Sequence, residues 1–226
     1  MELIQAAIAK GQRALNEHQA KKLLRAYNIS TVSEQLVQTA DEAAAAAGEI
    51  GWPVALKACG PDILHKTGQG LMTLNLDEEE SLRRAFARIE KVAADQTLEG
   101  MLVQAMVSGH RELVVGMKRE PQFGPCVMVG LGGILTEIYQ DTAFRVAPFD
   151  DLEAMDMIEE LRCRKILQPF RGEAAADLDA LCQTIVSMGK IAMDFPMIEE
   201  IDVNPLVMTP QGKIVAVDAL VILADV

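Results

Sequence analysis

The stretch from Glu199 to Asp218 allows few folds. Glu199-Glu200-Ile201-Asp202-Val203-Asn204-Pro205-Leu206-Val207-Met208 and Ile214-Val215-Ala216-Val217-Asp218 are apolar-rich, β-branched runs. Thr209-Pro210-Gln211-Gly212-Lys213 lies between them, and the pattern predicts a β-hairpin. Side chains two apart on a strand share a face, so Glu200, Asp202 and Asn204 point the same way. Pairing Met208 with Ile214 across the turn also pairs Asn204 with Asp218, because the residue numbers of both pairs add to the same total. Paired positions on adjacent strands stand about 5.5 Å apart.

Carboxylates and an amide oxygen gathered without His or Cys suit a hard cation, most naturally Mg²⁺ shared with nucleotide phosphates. The same alternation is also the default of an antiparallel sheet with one wet face. The hairpin alone leaves both readings open. The apolar run after Pro205 points to burial of the strand's other side.

At 226 residues the chain is long enough for one domain or two lobes with a full core. A net charge of −12 argues against nucleic acid and against an anionic membrane surface as partners, but a few local lysines suffice for a phosphate chain. No segment reaches the roughly 18 unbroken apolar residues of a membrane span. Met1-Glu2-Leu3-Ile4-Gln5 lacks a basic region leading into an apolar stretch, so no secretory signal is expected. Cys59, Cys126, Cys163 and Cys182 show no C-x-x-C spacing and read as reduced core residues of a cytoplasmic protein.

Along the chain, a short opening helix is expected to end near Gly11, and Asn16 to cap a second helix burying Ala20, Leu23, Leu24 and Tyr27. A strand is predicted within Val32–Val37, then an alanine-rich helix from Thr39-Ala40-Asp41-Glu42 to Gly48–Gly51. Pro53–Ala58 and Leu71–Leu76 read as strands, and Asp77 with Glu80 as a capping-box-like start to a helix reaching about Ala94. Met101–Val107, Glu112–Met117 and Pro125–Val129 are further strands, followed by a segment Ile134–Tyr139. Asp150 and Asp151 open a helix to about Leu161, and Glu173–Met193 is a long helix burying Leu178, Leu181, Ile185, Met188 and Ile191. Without strict βαβ alternation, the order fits a two-lobed α+β or mixed α/β enzyme.

Several residues carry chemistry. Lys57 sits inside an apolar strand, either as an edge lysine with its head in solvent or as a cation aimed at nucleotide phosphates. Gly60 to Gly70 forms a loop rich in Gly, His and Lys, able to offer N–H groups and an ammonium to phosphate. Within it, His65 lies outside any helix stripe, and a neutral imidazole can accept a phosphoryl group. Gln104 and Glu112 lie eight residues apart on consecutive strands, which reads either as ordinary surface polarity or as a nucleotide hinge with strand backbone at the base edge and Glu112 at the ribose; spacing alone is a weak signal for the second. Gly130-Leu131-Gly132-Gly133 lacks the dinucleotide-binding spacing and reads as a tight backbone passage or a turn. His18 and His110 suggest no chemistry.

Taken together, Pro53-Val54-Ala55-Leu56-Lys57, His65-Lys66-Thr67, Leu102-Val103-Gln104, Glu112, Phe123-Gly124-Pro125, Gly130-Leu131-Gly132-Gly133 and Ile201-Asp202-Val203-Asn204-Pro205-Leu206 resemble the ATP-grasp β subunit of NDP-forming acyl-CoA synthetases. These are the ADP-forming acetyl-CoA synthetases, relatives of succinyl-CoA synthetase, and the module also occurs fused within longer chains. The resemblance runs from about residue 14 to 222. It implies an ATP-grasp fold of two lobes with nucleotide in the cleft between them. Residues 1–104 would hold the small lobe (about 25–104), and 105–226 the lobe carrying the hairpin.

The resemblance further implies the reaction acyl-CoA + ADP + phosphate ⇌ acid + CoA + ATP, with Mg²⁺ as cofactor and ATP or ADP as substrate. By that resemblance Lys57 holds phosphates, and Gln104, Ala105, Met106 and Glu112 form the nucleotide site. Asn204 and Asp218 are Mg²⁺ ligands, Asp202 the acid beside them, and His65 the histidine phosphorylated during transfer. The implied partner is a CoA-binding α subunit or fused domain carrying the acyl site, in a hetero-oligomer. One departure stands out: the family's adjacent glycines followed by valine are here Gly68-Gln69-Gly70-Leu71. Another ATP-grasp carboxylate ligase would share Lys57, Asn204 and Asp218 without needing His65. A non-catalytic nucleotide sensor would bind nucleotide and never exchange phosphate.

Overall fold

The computed structural model describes residues 2–61, 63, 69–133 and 140–224. The elements are α1 (Glu2–Ala9), β1 (Ala14–Leu15), α2 (Glu17–Ala26), β2 (Glu34–Val37), α3 (Ala40–Ile50), β3 (Val54–Cys59), β4 (Met72–Leu76), α4 (Glu79–Val92), β5 (Gly100–Ala105), β6 (Arg111–Glu120), β7 (Gly124–Leu131), β8 (Thr142–Val146), α5 (Asp151–Glu160), α6 (Leu178–Asp194), β9 (Ile198–Met208), β10 (Ile214–Ala216) and β11 (Leu220–Leu223). A 3₁₀ turn covers Arg164–Leu167. The chain forms two compact units, Met1–Gln19 with Val32–Met106, and Ala20–Thr31 with Val107–Val226. The expected segment Ile134–Tyr139 lies outside the described residues. Among those that are described, no helix is long and apolar enough to cross a membrane.

The first unit is built on an antiparallel sheet in the order β2-β5-β3-β4. Val54, Leu56, Ala58, Met101 and Val103 alternate onto one face, where Ala43, Ala46, Ala47, Leu82, Phe86 and Ile89 of α3 and α4 cover them. Burying each large side chain of this set stabilises the unit by roughly 1.5–3 kcal/mol. Every residue of β3 is buried, so its second face is covered too.

The helix starts show which caps the sequence supplies. Asn16 caps α2 as expected, its Oδ1 accepting from Gln19 N at 2.8 Å. Thr39 and Glu42 form a full capping box on α3, and Gly51 ends that helix at φ 97°. The start of α4 differs from the sequence expectation. Its N-cap is Glu78, with no side-chain bond to the first turn, and Glu80 accepts from Arg84 one turn on.

In the second unit β11, β9, β6, β7 and β8 lie side by side in that order, all antiparallel, and β10 continues the pairing of β9 past the end of β11. Helix α6 buries Leu181, Ile185, Met188 and Ile191. It begins at Leu178 and not at Glu173. Asp177 accepts from Ala180 N at 3.0 Å and starts the helix there, while Glu173 is drawn to Arg111 Nε at 2.8 Å. The turn after α2 belongs to this unit: Ser187 Oγ donates to Tyr27 O at 3.0 Å and Ala216 N to Ser30 O at 2.9 Å.

Candidate active site

In the first unit, register brings two of the sequence-selected residues onto the sheet face opposite α3 and α4. Gln104 pairs with Ala55 on β3 and with Glu34 on β2, and Lys57 pairs with Leu102. Lys57 and Gln104 are therefore diagonal neighbours on adjacent strands. Both are buried, at 3% and 2% exposure. Lys57 Nζ donates to Glu17 Oε1 at 2.8 Å, so its head is not in solvent. Ala105 and Met106 are half-buried, and their N–H groups donate to Ser33 O at 2.9 Å and Pro53 O at 3.3 Å.

Sequence reasoning missed Glu17, which reads as an ordinary first-turn acid of α2. It also passed over the pair made by His18 Nδ1 and Glu34 Oε1, 3.0 Å apart beside Gln104's strand neighbour. His65 lies outside the described residues, as do Lys66, Thr67 and Gly68. Gln69 and Gly70 form an exposed turn, Gly70 with φ 74°.

In the second unit, the hairpin has the expected register. Ile214 pairs with Met208 and Ala216 with Leu206 on β10. Leu220 then pairs with Asp202 and Ile222 with Glu200 on β11, in the same frame. Between them Val217 N donates to Pro205 O at 3.1 Å, which keeps the frame through the gap. Asn204 and Asp218 thus occupy the same step, between the two short strands. Asn204 is exposed and Asp202 and Asp218 are half-buried, while Ile201, Val203 and Leu206 are buried behind them.

The same sheet face carries Gly116 beside Asp202 and Lys118 beside Glu200 on β6. These residues line an open groove of about 740 Å³ with Met128 and Phe144. Glu112, on β6, lies against the glycine run. Gly132 N donates to Glu112 O at 2.8 Å. A Cβ on Gly132 would come 2.7 Å from the Leu113 carbonyl, and one on Gly133 2.8 Å from Glu112 Oε2. The run is a close backbone passage, and its glycines are what let it pass β6.

Among the described residues no three or more His, Cys, Asp or Glu side chains gather where they could hold a metal. The oxygen-bearing groups on the hairpin step are an amide, Asn204, and a carboxylate, Asp218. That fits Mg²⁺, which keeps several waters and takes one or two protein ligands plus phosphates, better than a cation needing an all-protein cage.

A family model for the ATP-grasp domain matches residues 6–223. This chain belongs to the ATP-grasp family. It is 40% identical to the β subunit of acetate–CoA ligase [ADP-forming] I of Pyrococcus furiosus, over 98% of this chain and 97% of that one. It is 37% identical to acetate–CoA ligase [ADP-forming] I of Archaeoglobus fulgidus, covering 99% of this chain and 33% of that longer one. Acetyl-coenzyme A synthetase 1 of Ca. Korarchaeum cryptofilum, in complex with coenzyme A, Ca-AMPCP and HgCl⁺, superposes with a TM-score of 0.93 at 37% identity, over 99% of each chain. The same synthetase in complex with coenzyme A and Mg-AMPPCP, its phosphohistidine segment pointing towards the nucleotide binding site, gives 0.86 at 37% identity over 99% of each chain. The ATP-grasp chain described here therefore spans almost all of the Pyrococcus furiosus β subunit and about a third of the longer Archaeoglobus fulgidus ligase.

Proposed function

We propose that this ATP-grasp chain is the nucleotide-binding β component of an ADP-forming acyl-CoA synthetase, catalysing acyl-CoA + ADP + phosphate ⇌ acid + CoA + ATP with a CoA-binding partner. The observation that carries the reading is the hairpin register, which sets Asn204 and Asp218 on one step in a chain similar to such β subunits from end to end. Lys57 would hold the nucleotide phosphates, with Gln104, Ala105 and Met106 along the base and Glu112 at the ribose. Asn204 and Asp218 would hold Mg²⁺, with Asp202 beside them. When bound, the cation supplies charge neutralisation to the phosphates.

The partner would form the acyl phosphate and pass its phosphoryl group through a histidine of its own, and His65 would take it from there and deliver it to ADP. At His65 the P–N bond to the partner's imidazole breaks as the P–N bond to His65 forms, and displacement by an ADP phosphate oxygen then breaks that bond and frees the imidazole. Little covalent chemistry remains for the protein, so positioning and electrostatics carry the rate. The acyl site would sit on the partner, as an α subunit in a hetero-oligomer or as a fused domain. Four free cysteines agree with a reducing, cytoplasmic setting.

Incubation with Mg²⁺-ATP labelled at the γ position tests this, comparing wild type with His65→Ala. Acid-labile, base-stable label on wild type alone is expected. Equal labelling of both proteins would place the phosphoryl acceptor elsewhere. Turnover of a carboxylate and ATP that survives His65→Ala would point instead to another ATP-grasp ligase.

A further inference from the structure

Glu17 and Lys57 are 40 residues apart in the chain and meet at 2.8 Å. Their side chains are 1% and 4% exposed. Glu17 is fixed where it stands. Asn16 and Gln19 exchange bonds, Gln19 N to Asn16 Oδ1 at 2.8 Å and Asn16 N to Gln19 Oε1 at 3.1 Å, which sets the first turn of α2 around Glu17. Asn16 Nδ2 also donates to the Glu99 carboxylate. Glu99 N in turn donates to Cys59 O at 2.8 Å, tying the start of α2 to the end of β3, the strand that carries Lys57. A lysine ammonium on its flexible stem ordinarily samples many positions. Here an opposite charge holds it in one, and without that charge a buried ammonium is costly.

We propose that Glu17 is a positioning residue of the nucleotide site, holding the Lys57 ammonium in place before the nucleotide arrives. The inference rests on the role given to Lys57 above. An ammonium has three donors, so a bond to Glu17 is compatible with one to a phosphate oxygen. Glu17 would reach the nucleotide through Lys57. Its loss therefore weakens binding of nucleotides that carry phosphates and leaves adenosine binding alone, which a merely structural acid would not do.

The test is calorimetric titration of the full chain with Mg²⁺-ADP and with adenosine, for wild type, Glu17→Gln, Glu17→Asp, Lys57→Met and the Glu17→Gln/Lys57→Met double variant. Circular dichroism and melting confirm that each protein is folded. Glu17→Gln is expected to weaken ADP binding roughly tenfold or more, the scale of one lost charge-assisted contact, with adenosine unchanged. Glu17→Asp, which keeps the carboxylate on a shorter stem, recovers part of that loss, and the double variant binds ADP no worse than Lys57→Met. A folded Glu17→Gln that binds ADP like wild type, beside a Lys57→Met that does not, overturns the inference and leaves the site reading intact. Lys57→Met binding ADP like wild type overturns the site reading itself. If Glu17→Gln does not fold, wild-type ADP affinity in Glu17→Asp overturns the inference.

Discussion

Asn204 and Asp218 share one step of a register that is held on both sides of them, Ala216 facing Leu206 on one side and Leu220 facing Asp202 on the other. Neither residue is part of the apolar layer behind β9. Asn204 is exposed and Asp218 half-buried, and Asp218 Oδ1 accepts from Ala219 N at 2.9 Å.

The first prediction follows from that placement. Asp218→Asn and Asn204→Ala should each weaken Mg²⁺-dependent nucleotide binding by at least the roughly 10- to 100-fold seen when groups merely supporting a metal are removed. For the exposed Asn204 the melting temperature should barely move, since surface substitutions usually stay within about 0.5 kcal/mol. Titration of ADP with and without Mg²⁺ checks it: a loss of equal size in both conditions would place these residues outside the metal site.

The glycine run gives a second prediction with two separable outcomes. In Gly132→Ala the new Cβ meets the Leu113 backbone at 2.7 Å, and backbone cannot swing aside, so stability should fall by about 1–3 kcal/mol. In Gly133→Ala the Cβ meets the tip of Glu112 at 2.8 Å, at a backbone φ of 70°. There the carboxylate itself must move. Nucleotide affinity should therefore fall in Gly133→Ala by more than its loss of stability would explain, as measured by urea unfolding beside ADP titration.

A third prediction concerns acid. Burial would raise the Asp141 carboxyl, but the Cys163 thiol and the amides of Arg162 and Cys163, at 2.9 and 2.6 Å, outweigh it and hold it below the usual carboxylate range. The folded value is lowered, so the carboxylate's stabilisation is present above the unfolded value of about 3.9. It is lost as the pH falls through the lowered one. Asp141→Asn should be less stable than wild type at neutral pH, and the difference should shrink below about pH 4. Thermal melts of both proteins from pH 2 to 7 measure this; a constant difference across the range would exclude the linkage. Cys163, pushed up to about 12 by burial and by Asp141, should resist alkylation at pH 8 in the wild type.

Helix ends supply a fourth. Thr39→Ala removes one half of the box on α3 and should cost about 1 kcal/mol. Glu78→Ser puts a better cap where α4 has no side-chain bond, and should gain about 0.5–1 kcal/mol. Differential scanning calorimetry reads both, and for a chain of this length each kcal/mol moves the melting point by roughly 2–4 °C. A Glu78→Ser protein that melts lower than wild type would show that Glu78's interactions with neighbours such as Arg84 outweigh a cap.

Local rules act through neighbours in the chain, and that is why so much here was legible beforehand. The turn Thr209–Lys213 is short enough that its residues set the hairpin register, so one expected pair, Met208 with Ile214, predicted every later one down to Glu200 with Ile222. The caps at Asn16, Thr39 and Asp150 involve groups two or three residues away. Where signals competed, the ion-pair partner decided, a neighbour one turn on in one case and a distant strand in the other. Glu80 had two uses within one turn and went to Arg84, and Glu173 went to Arg111 instead of opening α6.

By itself the sequence determined most of the strands and helices, though not β1, β8 or β11, and with them the hairpin register and the likeness to a family. Only the tertiary structure decided what each buried polar group touches. Lys57 also read as a solvated edge lysine, because a strand period says which face a side chain takes and nothing of what covers that face. Its partner Glu17 comes from a helix start 40 residues away. Burial makes that pairing obligatory, since an ammonium out of water needs a counter-charge, and no local pattern records which carboxylate the fold will bring.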